Sequence, residues 1–117
     1  MDRTRIENLL PLRPVEFHVL LSLADGDRHG YGIMQDARER GEAVPDIGTL
    51  YRALARMADQ GWIEAADPPP SSESGDERRN YYRITDLGLR VAKAEARRLA
   101  ALTRAARIGG LLEKEAK

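Results

Sequence analysis

The feature that most constrains this chain is a strongly amphipathic helix pattern that follows Asp46 and covers residues 47–57. At about 100° per residue, apolar and polar side chains separate onto two faces. The face predicted to pack on a core carries Ile47, Leu50, Tyr51, Leu54, Met57 and Ala58. The opposite face is predicted to carry Thr49, Arg52, Ala53 and Arg56. Such a helix docks on other elements through one side and presents arginines on the other.

Two shorter helix patterns precede this helix. The first covers residues 14–24, with Pro14 in its first turn, and residues 25–27 end it. Its inward stripe is predicted to be Phe17, Leu20, Leu21 and Ala24. The second is expected over about residues 30–39, and the third over residues 46–60 with Asp46 as its N-cap. Two short helices joined by a turn are typical of a helix-turn-helix.

A β-hairpin and a long helix are predicted to follow. The strands are expected at residues 62–66 and 79–84, and residues 67–76 between them lack a large apolar side chain. We therefore expect a long, mobile hairpin tip. Thr85 and Asp86 begin a final helix of roughly 20 residues. Its apolar positions include Leu87, Val91, Leu99, Leu102 and Ala106. A domain this small covers such a stripe poorly, so a helix from a second copy is predicted to bury it.

Charge is balanced over the whole chain but not along it. The 117 residues carry 19 basic and 19 acidic side chains, so the formal net charge is zero. Residues 78–107 hold nine bases and two acids, a net charge of +7, whereas residues 67–77 hold four acids and no base. The total charge therefore gives no sign of a nucleic-acid partner, but the charge distribution leaves room for one.

The composition disfavours several classes of function. The chain has no cysteine, which excludes disulfides, thiolate chemistry and cysteine-based zinc sites. It shows no nucleophile motif or phosphate-binding glycine loop, and His18 and His29 lack the spacing of helical metal ligands. We expect neither an enzyme nor a cofactor. Without a signal-peptide pattern or a run of about 18 apolar residues, a cytoplasmic protein with no membrane partner is expected.

Four motifs occur in a fixed order: His29-Gly30-Tyr31-Gly32-Ile33, Gly48-Thr49-Leu50-Tyr51-Arg52-Ala53-Leu54, Gly61-Trp62-Ile63, and residues 79–88 with the sequence RNYYRITDLG. Together they resemble the PadR family of bacterial transcriptional regulators, over roughly residues 14–90. Arg52 stands where many members have proline. The proline- and serine-rich run between the strands is unusual for the family, and the short C-terminal segment resembles its compact branch.

The resemblance implies a mainly α fold with a small β-hairpin. Residues 1–85 are expected to form a winged helix-turn-helix, with the wing at about 62–84, and residues 86–117 a C-terminal dimerisation helix. It further implies a homodimer that binds double-stranded DNA at a pseudo-palindromic operator, usually as a repressor, and it allows a small aromatic effector. The alternative left open is a winged helix that senses a ligand or binds a protein, with weak or no specific DNA binding.

The third helix holds the main candidates for DNA contact. In a recognition helix, side chains near the N-terminus reach base edges, so Thr49 and Arg52 are predicted to do so. Arg56 lies one turn further on and either contacts DNA or pairs with Asp59 or Gln60. The ring of Tyr51 is expected to pack while its hydroxyl group reaches a phosphate.

The second helix and the wing supply further candidates. His29 and Tyr31 lie where unpaired backbone N–H groups favour a phosphate, although His29 is equally suited to be the N-cap. Arg78, Arg79 and Asn80 border the wing tip, where they would follow the DNA backbone or enter the minor groove. The competing interpretation is that these residues screen the acids at positions 73, 76 and 77.

Overall fold

The computed structural model describes residues 6–42, 46–68 and 80–113. In chain order, the elements are α1 (Pro14–Ala24), β1 (Arg28–His29), α2 (Gly30–Glu39), α3 (Ile47–Asp59), β2 (Ile63–Ala66), β3 (Tyr81–Ile84) and α4 (Asp86–Ile108). The protein is mainly helical, with a small three-stranded antiparallel sheet and a long C-terminal helix. The predicted fold class is confirmed.

Local capping chemistry fixes where three of the helices begin. His29, Asp46 and Thr85 are the N-caps of α2, α3 and α4, and each side chain accepts a hydrogen bond from the backbone N–H three residues on. The donor–acceptor distances are 3.0, 2.8 and 3.0 Å, respectively. Each cap satisfies one of the backbone donors that a helix start leaves without a partner.

The end of α3 directs the chain into the core. Gly61 has a φ of 81°, and the N–H groups of Gly61 and Trp62 donate to the carbonyls of Ala58 and Met57, both at 3.0 Å. This is a Schellman motif, which needs a residue that tolerates the left-handed conformation. Trp62 consequently lies in the turn rather than in β2, and its side chain is buried. The strand begins one residue later than predicted.

The sheet contains one strand that the sequence did not reveal. Its order is β1-β3-β2, with both pairings antiparallel. The predicted hairpin is present as β2 and β3, although β3 begins at Tyr81 and not at residue 79. Strand β1 has two residues, which is too short for a period-two pattern, so only its pairing with β3 identifies it.

The core is built around α1, which packs against α2, α3 and α4. The side chains of Val19, Leu20, Ser22 and Leu23 are buried, whereas Leu21 is 38% exposed and Ala24 is exposed. The predicted inward stripe of α1 was therefore wrong at Leu21 and Ala24. Nearly every turn of this helix is apolar, so its own sequence does not determine which side faces the core.

The buried face of α3 also differs from the prediction. It consists of Leu50, Ala53, Leu54 and Met57. These residues follow the i, i+3, i+4, i+7 spacing of a core-facing helix. Ala53 was predicted on the outer face and is fully buried, whereas Ile47 and Tyr51 are 51% and 44% exposed and Ala58 is exposed. The periodicity of α3 does not specify this rotation, which depends on the elements that pack on it, α1 and β2.

The start of α4 is fixed against the turn that precedes β2. The backbone N–H of Thr85 donates to the carbonyl of Trp62 at 3.1 Å, and its hydroxyl donates to the carbonyl of Gly61 at 2.6 Å. A Cβ atom at Gly88 would lie 2.0 Å from the Trp62 carbonyl oxygen, so only glycine permits this approach. Further along, Val91 and Glu95 are buried. The first half of α4 therefore belongs to the same core as α1.

Candidate nucleic-acid interface

The first turns of α3 present a small polar pair to solvent. Arg52 is exposed, Thr49 is partly exposed, and Nη2 of Arg52 donates to Oγ1 of Thr49 at 3.3 Å. Hydrogen bonds from Thr49, above all from its backbone N–H, hold the pKa of the N-cap Asp46 below its usual range. The positive charge of Arg52 also helps to lower the pKa of Asp46, but no carboxylate oxygen of the described residues lies within 4.0 Å of the Arg52 guanidinium group. Its guanidinium group therefore keeps N–H donors for an acceptor outside the chain.

Arg56 has a different environment from Arg52. Its Nη2 atom lies 3.5 Å from Oε2 of Glu16 on α1, and the side chains are 35% and 8% exposed, respectively. The partners expected from the sequence, Asp59 and Gln60, are not the observed ones. Glu16 lies 40 positions away in the sequence, and local spacing gives no signal for such a pair. This ion pair favours a role for Arg56 in holding α3 against α1.

Tyr51 reaches across from α3 to the start of α2. A Cβ atom at Gly30 would lie 2.6 Å from the Tyr51 hydroxyl oxygen, and Gly30 is buried. Gly30 therefore allows the close approach of the Tyr51 phenol. Burial raises the pKa of Tyr82, with a further contribution from the Tyr51 phenol, so the two hydroxyl groups share one neighbourhood. No local sequence pattern connects Tyr82 with Tyr51, because β3 and α3 meet only in the folded chain.

His29 is the N-cap of α2, one of the two roles considered for it. Its Nδ1 atom accepts the hydrogen bond from Gly32, and its ring contacts Tyr81 edge-on, with the ring centroids 5.1 Å apart. Tyr31, two residues further on, is 47% exposed. The structure thus leaves Tyr31 and Tyr51 accessible near the start of α2, where the helix dipole is positive.

The wing is described only at its base. Asn80 is exposed directly before β3. Arg78, Arg79 and the segment 69–79 lie outside the described residues. On β3, Nε of Arg83 is 3.9 Å from Asp27 and 4.0 Å from Glu64, so it connects the sheet to neighbouring acids.

The predicted dimer residues fall into two groups along α4. Val91 is fully buried within its own chain, so it has no surface left for a partner, and its assignment to an interface was wrong. Leu87, Leu99 and Ala106 are partly buried, and Leu102 is 54% exposed. Three further large apolar side chains at and just beyond the end of α4 are also exposed: Ile108, Leu111 and Leu112.

Helices α2 and α3 form a helix-turn-helix in which α3 presents a polar edge, and strands β2 and β3 follow it and pair with β1 in a three-stranded sheet. This arrangement defines a winged helix-turn-helix of the kind that binds DNA. A family model described as the transcriptional regulator PadR-like family matches residues 19–94. The chain belongs to this family of DNA-binding transcriptional regulators. None of the helices in the described ranges is both long and apolar enough to cross a membrane.

Solved structures agree with this assignment. A transcriptional regulator from Clostridium thermocellum is 26% identical, with a TM-score of 0.65 over 92% of this chain and 95% of that one. A PadR family regulator from Clostridium difficile is 27% identical, with a TM-score of 0.69 over 80% and 94% of the two chains. The fold also matches Bordetella bronchiseptica BpsR, whose DNA binding is regulated by 6-hydroxynicotinic acid, at 18% identity and a TM-score of 0.69 over 94% and 73%. A search of curated protein sequences gives no significant match.

Proposed function

We propose that the protein is a homodimeric repressor that places α3 of each protomer in the major groove of a pseudo-palindromic operator. The observation that carries this proposal is the exposed Thr49–Arg52 pair at the start of α3. Arg52 can bind guanine through two N–H groups, and the Thr49 methyl group can contact thymine. The two half-sites are then about one helical turn, roughly 34–36 Å, or a multiple of it apart.

Contacts to the DNA backbone are assigned to the groups around α2 and the wing. Tyr31 and Tyr51 are exposed near the α2 N-terminus, and Asn80 is exposed at the base of the wing. Hydroxyl and amide groups in such positions bind phosphate oxygens and fix the register of a protein on the duplex. We assign Arg78 and Arg79 to the phosphates or the minor groove beside the wing, and His29 only to supporting α2.

Dimerisation is assigned to the second half of α4, within the segment 86–117. The exposed side chains of Leu102, Ile108 and Leu111 support this assignment, because isolated monomers rarely leave large apolar residues together on one helix end. Residues 1–85 then form the DNA-binding unit. Repression, rather than activation, and a small aromatic effector follow from the family resemblance, and effector control is described for the Bordetella protein.

Fluorescence anisotropy with a labelled fragment of the promoter next to the gene tests DNA recognition. Arg52→Ala is expected to weaken specific binding by about 1–3 kcal/mol if Arg52 reads a base. The matched control is Arg90→Ala, which removes the same charge from an exposed position in the first half of α4, outside the part assigned to dimerisation. Binding should fall steeply with salt, with a log–log slope of about −0.9 per neutralised phosphate. Equal affinities for both variants would remove Arg52 from base recognition, and a flat salt dependence would favour a ligand-sensing or protein-binding winged helix.

A further inference from the structure

The side chain of Arg52 folds back over the first turn of α3. Its Nη2 atom donates to Oγ1 of Thr49, three positions earlier, at 3.3 Å. A Cβ atom on Gly48, four positions earlier, would lie 3.2 Å from Nη1 and 3.9 Å from Cζ of Arg52. The guanidinium group therefore occupies the space that a side chain at position 48 would fill.

Asp46 fixes the backbone on which Arg52 lies. Its Oδ1 atom accepts the backbone N–H of Thr49 at 2.8 Å and would lie 3.3 Å from the same Cβ position on Gly48. Because this cap holds the first turn of α3 in place, the Thr49 hydroxyl group is presented from a fixed backbone. The acceptor for Arg52 thus has a defined position before any DNA arrives.

The hydrogen bond to Thr49 does not use up the donors of Arg52. It takes one N–H of Nη2 and leaves the other N–H of Nη2 and both N–H groups of Nη1. Within the described ranges, Thr49 is the one residue that accepts a hydrogen bond from Arg52. Guanine offers N7 and O6 to two such N–H groups side by side. The contact with Thr49 therefore orients the group and still leaves the pair that guanine needs.

This orientation matters because Arg52 is exposed, so burial does not hold it in one conformation. A free arginine on a helix surface samples many rotamers, and binding has to select one of them. A side chain that already lies in the binding orientation avoids much of this loss of entropy.

We propose that Thr49 and Gly48 are positioning residues for Arg52. The Thr49 hydroxyl group orients the guanidinium group toward guanine, and the missing Cβ atom at Gly48 leaves room for it. This inference rests on the proposed recognition of DNA by α3. It gives the Thr49 hydroxyl group a task that is separate from the contact of its methyl group with thymine.

The test measures the preference for guanine with two versions of the labelled promoter fragment. One contains guanine, and the other contains 7-deazaguanine between the primers, which removes the N7 acceptor and keeps Watson–Crick pairing. The parent protein is expected to bind the guanine version about tenfold more tightly. Arg52→Ala should lose most of this preference, whereas Arg90→Ala, at an exposed position on α4, should keep it.

Two variants of Thr49 separate its hydroxyl group from its methyl group. Thr49→Val removes the acceptor and keeps a branched apolar side chain, and its guanine preference should fall from about tenfold to about threefold. Thr49→Ser keeps the acceptor and removes the methyl group, so its guanine preference should stay about tenfold. If Thr49 acted only through its methyl group, both variants would show the guanine preference of the parent.

Gly48→Ala separates recognition from stability. Alanine favours a helix more than glycine does, so the melting temperature should not fall. The guanine preference should nevertheless decrease about threefold, because the new Cβ atom displaces the guanidinium group. A Cβ atom that merely clashed with DNA would weaken binding equally with and without Arg52. Displacement of the guanidinium group weakens binding only when Arg52 is present, so the double variant with Arg52→Ala distinguishes the two causes.

Several outcomes overturn the proposal. Thr49→Val that keeps the guanine preference of the parent rejects it, and so does tighter binding by this variant, because the hydroxyl group would then hold Arg52 away from DNA. Equal losses from Gly48→Ala with and without Arg52 reject the role of Gly48. A parent protein that binds both fragments equally rejects the inference and leaves DNA recognition in place. A parent protein that binds neither fragment rejects the proposed function, and this inference with it.

Discussion

Glu16 of α1 and Arg56 of α3 meet across the two helices, with Oε2 of Glu16 3.5 Å from Nη2 of Arg56. The other carboxylate oxygen, Oε1, accepts the backbone N–H of Arg13 at 3.0 Å. One buried acid therefore both caps α1 and holds α3 against it. This relationship separates the arginines of α3 into Arg52, which faces solvent, and Arg56, which connects helices.

Glu16→Gln is expected to lower the free energy of unfolding by about 1–2 kcal/mol, because the amide keeps an acceptor for Arg13 but loses the charge that faces Arg56. Urea unfolding measures this loss, and Glu39→Gln, at an exposed position on α2, should change stability by less than about 0.5 kcal/mol. A double-mutant cycle with Arg56→Gln should give a coupling energy of about 0.5–1 kcal/mol. If the losses of unfolding free energy in the two single variants simply add in the double variant, the ion pair contributes nothing to stability.

The buried carboxyl of Glu95 is expected to make the stability of the fold depend on pH. Hydrogen bonds from Arg98, together with its charge and a hydrogen bond from the Leu12 N–H, hold the pKa of this buried carboxyl below its usual range. Between the folded pKa and the unfolded value of about 4.3, the unfolded chain binds more protons. The stabilising contribution of the ionised Glu95 carboxyl is therefore complete above about pH 4.3. It is lost as the pH falls through the pKa of Glu95 in the folded state.

Glu95→Gln should accordingly cost about 2 kcal/mol near neutral pH, because Arg98 loses its anionic partner. The difference between variant and parent should narrow below about pH 4, as the parent carboxyl becomes protonated. Urea midpoints measured across this range check both statements, with Glu39→Gln at an exposed position on α2 as the control. A difference that stays constant with pH would contradict the assignment to Glu95.

Gly88 is predicted to be the least replaceable glycine in the described structure. A Cβ atom there would lie 2.0 Å from the Trp62 carbonyl oxygen, so Gly88→Ala requires the start of α4 to move away from the turn that precedes β2. We expect a loss of about 3 kcal/mol or more. Gly109→Ala is the matched control, because its Cβ atom would meet nothing closer than 3.4 Å and its φ is −81°. Thermal unfolding followed by circular dichroism compares the two variants, and similar melting temperatures would refute the prediction.

The sequence predicted the features that depend on neighbouring residues. The cap at Asp46, the break at Gly61 and the bounds of α2 follow from local hydrogen bonding and backbone conformation, and the structure confirms all three. The motifs also identified the family, because their order reflects the whole fold. The roles of Thr49 and Arg52 in base recognition stay predictions.

Features that depend on distant contacts were not predictable in this way. The rotation of the α3 core face to include Ala53 depends on where α1 lies. The partner of Arg56 is 40 positions away, and the Leu12–Glu95 hydrogen bond spans 83 positions. Val91 was assigned to a partner because its apolar type is the same whether its own core or a second copy covers it. Periodicity shows that a side chain is buried, but not what buries it.

Tyr51→Phe tests whether the phenol contacts a phosphate. The side chain is 44% exposed, so removal of its hydroxyl should change stability by less than about 0.5 kcal/mol. If the hydroxyl binds a phosphate, DNA affinity should fall about fivefold and equally for operator and nonspecific DNA. Gly30→Ala should have a similar effect, because the new Cβ atom displaces the hydroxyl. Unchanged anisotropy titrations for both variants would assign Tyr51 a purely structural role.

Leu102 and Ile108, which are 54% and 82% exposed, provide the test of dimerisation. Leu102→Glu combined with Ile108→Glu should convert a dimer into a monomer, because two buried carboxylates without partners are strongly unfavourable in an apolar interface. Light scattering measures the mass, and Ala101→Glu, at an exposed position beside Leu102, is the control. Variants at Val91 or Glu95 would not serve, because both residues are buried within one chain and their replacement would destabilise the fold itself. If the double variant still has the mass of a dimer, the interface does not lie at the end of α4. If it is a monomer that binds single half-sites weakly, dimerisation contributes directly to the affinity for the operator.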